Sequence, residues 1–224
     1  MIYITGDTHI PVDIQKLSSK RFPQQKDMTK NDYVIICGDF GGVWDNSNEE
    51  KYWIKWLKDK KFTTLFIDGN HENFTILEDL PVVDFCGGKV HRVENGIYHL
   101  MRGEAYTIEN KKIFAFGGAS SHDKHHRTEN KNWWKAELPS EKEYASALNN
   151  LECNNWNFDY ILTHCAPDSI QNNISNYEQN DLTQFLETIN TKIMYKHWFF
   201  GHYHIDRKIT DKHTCVFNQI IPLV

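Results

Sequence analysis

Five short apolar runs, rich in β-branched and aromatic residues, alternate with polar segments along the chain. Each run stops abruptly, usually at a glycine, and an Asp, Asn or His follows within a few residues. Continuous runs of this kind are typical of strands that are buried on both faces of a sheet. The runs occupy residues 2–4, 33–36, 64–67, 160–162 and 198–200.

Amphipathic segments typical of helices lie between several of these runs. Residues 48–60 and 181–189 both carry apolar side chains along one face of a helix. Ser140 and Glu143 have the spacing of a capping box and mark the start of a further helix. Strands that alternate with helices predict an α/β fold.

The middle of the chain, residues 90–118, has a different pattern. Four apolar runs follow one another there with only turns between them. This pattern predicts either an antiparallel addition to the first sheet or a second sheet. Because the sequence contains no repeat, low-complexity tract or linker, we expect a single domain over residues 1–224.

Composition and charge narrow the range of partners. The net charge of −5 makes long nucleic acid an improbable substrate. No apolar run approaches the roughly 20 residues that a membrane span requires, so we expect no membrane association. The five cysteines form no CxxC pair, which argues against a zinc ribbon or a disulfide framework. Together these features predict a cytoplasmic protein in a reducing compartment.

Polar side chains at the ends of the apolar runs are candidate metal ligands. Loops at the carboxyl ends of strands form the binding sites of open α/β sheets. The set contains no thiolate, which suits Mn²⁺, Fe, Zn²⁺, Ni²⁺ or Co²⁺. Seven ligands are too many for one ion and suit two ions that share a carboxylate. The candidates are Asp7, His9, Asp39, Asn70, His164, His202 and His204.

Five sequence blocks carry these ligands, and together they resemble a known family. The blocks lie at residues 6–9, 38–39, 69–72, 163–164 and 201–204. They are similar to the signature of the calcineurin-like metallophosphoesterase superfamily. The resemblance implies an α/β fold in which a two-sheet β-sandwich with mixed sheets is flanked by helices. It also implies two divalent metal ions, with manganese the favoured metal.

The resemblance further implies a role for each matching residue. One ion would be held by Asp7, His9 and His204, and the other by Asn70, His164 and His202. Asp39 would bridge both ions. His71 would lie beside them and donate a proton to the leaving alkoxide, a form of catalysis worth about 10²–10⁴-fold.

The sequence departs from one branch of this superfamily. Protein Ser/Thr phosphatases have an Asp-Arg-Gly block shortly after the bridging aspartate, whereas residues 39–45 have none. The partner that would support His71 is therefore unassigned, and Asp45 is its candidate substitute. Glu72 does match that branch. We expect Asp45 and Glu72 to contact the residues of the metal site without binding metal themselves.

Residues 117–135 are a candidate substrate-facing loop. The segment is rich in histidine and other basic residues, so His122 and Arg127 are candidate phosphate-binding groups, together with Asn70. A solvated loop with chance charges is an equally good interpretation. The tryptophan pair at 133–134 is more typical of a loop anchored to the core than of a platform for a nucleobase.

Three functional hypotheses follow. The leading one is hydrolysis of a phosphomonoester or phosphodiester by metal-bound hydroxide, with a histidine as general acid. A nuclease or a cyclic-nucleotide phosphodiesterase is the second. A non-catalytic, metal-bearing scaffold is the third, although a complete ligand set with His71 favours an enzyme.

Overall fold

A computed structural model describes residues 1–223 of the 224-residue chain. Within them, thirteen strands and five α-helices follow one another. They are β1 (Ile2–Thr5), β2 (Tyr33–Cys37), α1 (Asn48–Lys58), β3 (Thr63–Ile67), α2 (Phe74–Glu78), β4 (Val82–Phe85), β5 (Gly88–Glu94), β6 (Ile97–Leu100), β7 (Glu104–Ile108), β8 (Lys111–Phe116), α3 (Glu141–Cys153), β9 (Tyr160–Thr163), α4 (Asp168–Gln171), α5 (Asp181–Asn190), β10 (His197–Phe200), β11 (Arg207–Lys208), β12 (His213–Cys215) and β13 (Ile221–Pro222).

The strands form two mixed sheets. The first sheet has seven strands in the order β13-β1-β2-β3-β6-β5-β4, and the second has six in the order β11-β12-β10-β9-β8-β7. The four central strands of each sheet run parallel to one another, whereas the strands at both edges pair antiparallel. The predicted two-sheet α/β fold with mixed sheets is therefore confirmed.

Three apolar clusters hold the layers together. The middle cluster joins the two sheets, with Ile4 and Leu65 of the first sheet and Leu162 of the second among its members. The other faces of the same strands pack against helices: Leu57 of α1 lies in one outer cluster and Leu186 of α5 in the other. Strands buried on both faces account for the continuous apolar runs of the sequence.

Each of the five apolar runs forms a strand, namely β1, β2, β3, β9 and β10. The predicted helices are also present as α1, α3 and α5, and α3 begins with the Ser140 capping box. The middle segment contributes to both sheets. Hairpin β5–β6 extends the first sheet, and hairpin β7–β8 extends the second. Both interpretations of that segment were therefore partly correct.

The topology gathers chain segments at one rim of the sandwich. Strands β1, β2 and β3 are neighbours in the first sheet, and β8, β9 and β10 are neighbours in the second. Because each trio is parallel, the carboxyl ends of its strands meet at the same edge. None of the helices described over residues 1–223 is both long and apolar enough to span a membrane.

Candidate metal centre

Two clusters of metal-ligating side chains lie at this rim. The ligand atoms of each cluster lie within 4.8 Å of one another. The first cluster consists of Asp7, His9, Asp39 and His204, and the second consists of Asp39, His164 and His202. Asp39 belongs to both clusters, as a carboxylate that bridges two cations would.

The two oxygens of Asp39 face different clusters. Oδ2 lies 3.2 Å from Nε2 of His9, whereas Oδ1 lies 3.3 Å from Nε2 of His164. The backbone N–H of His71 also donates to Oδ1, at 2.8 Å. The backbone thus holds the carboxylate in place, and each of its two oxygens faces a different cluster.

Hydrogen bonds at Nδ1 orient two of the histidines. Nδ1 of His9 lies 2.9 Å from Oδ2 of Asp13, and Nδ1 of His164 lies 2.7 Å from the carbonyl oxygen of Cys37. In each ring Nε2 is left to face the cluster. Metal-binding histidines are usually fixed in this way by a carboxylate or a carbonyl on the other nitrogen.

The backbone is strained where it presents the ligands. His9, Asp39, His202 and His204 have positive φ angles of 32°, 47°, 68° and 50°, a region that non-glycine residues rarely occupy. Such conformations cost of order 1–3 kcal/mol each and concentrate at functional sites. A Cβ atom at Gly69 would overlap the Asp39 carboxylate, so only glycine fits beneath it.

Unpartnered atoms at the rim fit a cation. Five buried side-chain polar atoms in residues 1–223 make no hydrogen bond, and three of them belong to the predicted ligands: Oδ2 of Asp7, Oδ1 of Asn70 and Nε2 of His164. The Asp7 and His164 atoms have only ion-pair contacts, with Nε2 of His204 at 3.1 Å and Oδ1 of Asp39 at 3.3 Å. A buried polar atom without a partner costs about 1–3 kcal/mol. Since coordination would satisfy all three atoms, the donor set fits divalent metal ions.

Asp39 and Asp7 favour a positive charge at His164, whereas burial and the charge of His164 lower the pKa of His202 to about 3. Burial alone would lower the pKa of His164, but Asp39 and Asp7 outweigh it and raise that pKa to about 10. Burial would likewise raise the pKa of Asp39, yet His164 and His9 hold it well below its ordinary value. A divalent cation bound at this position would face the same two carboxylates.

Comparison with known families identifies this combination of fold and ligands. A family model described as calcineurin-like phosphoesterase matches residues 1–206. The chain belongs to the calcineurin-like phosphoesterase family. A search of curated proteins found no match to it. The family membership supports metal-dependent hydrolysis of phosphate esters, and the His/Asp clusters supply candidate ligands for the metal.

Asn70 follows Gly69, whose Cα lies against Asp39 and His164. Its side chain is buried, its Nδ2 donates to Oγ of Ser121 at 3.4 Å, and its Oδ1 has no hydrogen-bond partner. Glu72, expected to support the ligands, is fully buried and accepts a 2.7 Å bond from the N–H of Phe40, next to Asp39. Burial, reinforced by the charge of Asp39, raises the pKa of Glu72 well above its ordinary value.

His71 lies beside the clusters and belongs to neither of them. The centroid of its ring is 5.4 Å from that of His9. Burial lowers the pKa of His71; the charges of His9 and Arg127 act in the same direction, and Asp39 opposes them. The imidazole is therefore at the metal centre without being part of either ligand cluster.

Asp45 is not placed beside His71. Its side chain is exposed, and its Oδ1 accepts a bond from the N–H of Ser47 in the turn before α1. No hydrogen bond or ion pair between Asp45 and His71 occurs among the described residues. The structure thus gives Asp45 a role in that turn.

The 117–135 loop borders the candidate centre. The ring of His122 stacks on that of His202, with centroids 5.9 Å apart. Arg127 is close enough to influence the pKa of His71, and its Nε pairs with Oδ1 of Asp123 at 2.8 Å. Trp134 is buried against the first sheet and its helices, as expected of an anchoring residue.

Sequence patterns missed three residues that support the site. Asp13 lies four residues after His9, a spacing that could have drawn attention to it. Ser121 and Glu137 carry no motif, and only the fold brings them to Asn70.

Proposed function

We propose that this protein hydrolyses a small phosphate ester with the help of two divalent cations. Asp39 carries this proposal, because its two oxygens face two separate ligand clusters. The first position would use Asp7, His9 and His204, and the second Asn70, His164 and His202. A pair of cations there would polarise the phosphate and supply a water that is activated near neutral pH.

His71 is the group that we propose as proton donor to the leaving oxygen. Its backbone N–H is tied to Asp39 and its ring lies against His9, so the imidazole is held at the edge of the centre. Because the ring is in neither ligand cluster, it remains able to carry a proton.

Replacing His71 by alanine should affect substrates unequally. With phenyl phosphate, whose leaving group needs a proton, we expect kcat to fall by about 10²–10⁴-fold. With p-nitrophenyl phosphate the fall should be smaller, because nitrophenolate leaves without a proton. Steady-state kinetics on both esters gives the comparison, with His126→Ala, an exposed histidine of the adjacent loop, as control. Equal losses on the two esters would contradict the acid role.

A cleft beside the centre is where we propose that the organic part of the ester binds. It has a volume of about 160 Å³ and is bordered by His202, by His122 and Lys124 of the 117–135 loop, and by Tyr177 and Asn180 from the other side. Aromatic and polar side chains line it together, which suits a ligand with both ring and polar groups.

Phosphate contacts from the loop are a further part of the proposal. Arg127 carries a charge that acts to lower the pKa of His71, and a guanidinium binds a phosphate through two parallel hydrogen bonds. It is paired with Asp123, so phosphate binding would exchange one anionic partner for another. With a net charge of −5, a small ester is a better candidate than long nucleic acid.

Substrate panels separate the remaining reaction classes. Hydrolysis of p-nitrophenyl phosphate but not bis-p-nitrophenyl phosphate would identify a monoesterase, and the reverse preference a diesterase. Nucleotide, cyclic-nucleotide and short nucleic-acid panels then define the substrate. Manganese is the first metal to test, followed by iron, zinc, nickel and cobalt. Protein that binds these metals and yet hydrolyses none of the esters would be a scaffold, and the proposal would be wrong.

A further inference from the structure

We propose that Ser121 and Glu137 set the orientation of the Asn70 amide, so that its oxygen and not its nitrogen faces the second cation position. The inference rests on the proposed two-ion centre. An asparagine amide is nearly symmetric in shape, and its two ends differ only in hydrogen bonding. The oxygen can bind a metal ion, whereas the NH₂ group cannot. Something other than shape therefore has to select between the two orientations.

A chain of hydrogen bonds with a fixed direction makes this selection. Glu137 is buried, and its Oε2 accepts a 2.7 Å bond from the hydroxyl of Ser121. The hydroxyl of Ser121 has a single proton, which it donates to Glu137. Its oxygen can therefore only accept a hydrogen bond from Asn70. The neighbouring Nδ2 of Asn70, 3.4 Å away, is the end that can donate to it. Oδ1 is then turned to the opposite side, where it is buried without a partner.

The Glu137 carboxylate accepts hydrogen bonds from three donors, as an acceptor at the end of this chain of hydrogen bonds must. Its Oε1 accepts bonds from the N–H of Ser121 at 2.8 Å and from Nε1 of Trp133 at 2.7 Å. Burial raises the pKa of Glu137 above its ordinary value, although these bonds and that of the Ser121 hydroxyl act to lower it. A group that receives three hydrogen bonds behaves as an acceptor, and a carboxylate accepts only.

The backbone at Glu137 is anchored to the segment that carries Asn70. Nη2 of Arg102 donates to the carbonyl oxygens of Ala136 and Glu137, at 2.8 and 3.3 Å. Its Nε and Nη2 also donate to Oδ2 of Asp68, two residues before Asn70, at 2.8 and 2.6 Å. Asn70 and the residues that orient it are thus held together through Arg102, and their spacing does not depend on the exposed part of the loop.

A variant that reverses the direction of these hydrogen bonds, without changing the shape of the side chain, tests the inference. In Glu137→Gln, the side-chain oxygen can still accept from Ser121 N–H and Trp133, which leaves the new NH₂ group facing the Ser121 hydroxyl. That hydroxyl then becomes free to donate to Asn70, which favours the wrong amide orientation. Ser121→Ala removes the acceptor altogether, whereas Ser121→Thr retains the hydroxyl.

Calorimetric titration of metal-free protein with Mn²⁺ is the measurement. Loss of a residue that orients a ligand typically weakens metal binding by about 10–100-fold. We expect this loss at one of two sites in Glu137→Gln and Ser121→Ala, with the other site unchanged. Ser121→Thr should bind both ions like the wild type, and so should Glu129→Gln, the matched change at an exposed glutamate of the same loop.

The outcomes separate this inference from the proposed function. Wild-type affinity at both sites in Glu137→Gln and Ser121→Ala would overturn the positioning role and leave the two-ion proposal intact. Equal weakening at both sites in folded protein would also overturn it. A wild-type protein that binds no Mn²⁺, or a single ion, would instead refute the proposed function. Thermal denaturation of each variant distinguishes loss of metal from loss of fold.

Discussion

Replacing Asp39 by asparagine should abolish one of the two metal sites and lower kcat by at least about 100-fold. The change preserves shape but turns one carboxylate oxygen into an NH₂ group that cannot bind metal. The backbone N–H of His71 donates to Oδ1, so the amide oxygen is expected to remain there. The NH₂ group would then face His9, and the first position, with Asp7 and His204, should lose its ion.

Metal content and kinetics together check this expectation. Elemental analysis should fall from two ions per chain toward one, and the loss in kcat should persist at saturating Mn²⁺. Asp84→Asn, at an exposed position of the edge strand β4, is the matched control for handling and stability. Two tightly bound ions and wild-type kcat in Asp39→Asn would contradict the bridging role.

The largest effect on stability is expected from Arg102→Met. Arg102 and Asp68 form a buried ion pair, with side chains 5% and 1% exposed and a closest distance of 2.6 Å. Burial alone would raise the pKa of Asp68, but Arg102 and His99 lower it below its ordinary value. Removing Arg102 leaves a buried charge without its main partner, which typically costs about 3–5 kcal/mol of unfolding free energy.

Chemical denaturation measures this cost. Lys196→Met breaks the exposed pair with Asp159, also about 2.7 Å long, and should leave the midpoint nearly unchanged because surface pairs contribute little. The double variant Asp68→Asn/Arg102→Met should recover part of the loss, since the uncompensated charge is gone. If Arg102→Met were no less stable than Lys196→Met, the buried pair would not have the role assigned to it.

Much of the fold could be predicted because its strands and helices follow from patterns within short segments of the sequence. A continuous apolar run that stops abruptly at a polar segment is a local signal, and each of the five such runs became a strand ending at the rim. Sheet membership is a non-local property. Hairpins β5–β6 and β7–β8 look alike in sequence, yet they join different sheets, because β6 pairs with β3 and β8 with β9.

The residues of the candidate site likewise include some with a local sequence signal and some without one. The candidate ligands follow strand ends, which is a signal visible in the sequence, whereas Ser121 and Glu137 are brought together only by contacts that folding creates. Asp45 is a candidate because of its closeness to Asp39 in sequence, but in the structure its Oδ1 accepts a bond from the N–H of Ser47 in the turn before α1.

The two sheets meet at the rim through bonds that do not depend on metal. The N–H of His202, after β10, donates to Asp7, after β1, and Nδ1 of His164, after β9, is bonded to the carbonyl of Cys37 at the end of β2. Cations bound there would connect these same strands again, through metal–ligand bonds. Bound ions would therefore also connect the two sheets, and a change that moved the sheets apart at this rim would lengthen the distances between the ligands and weaken ion binding.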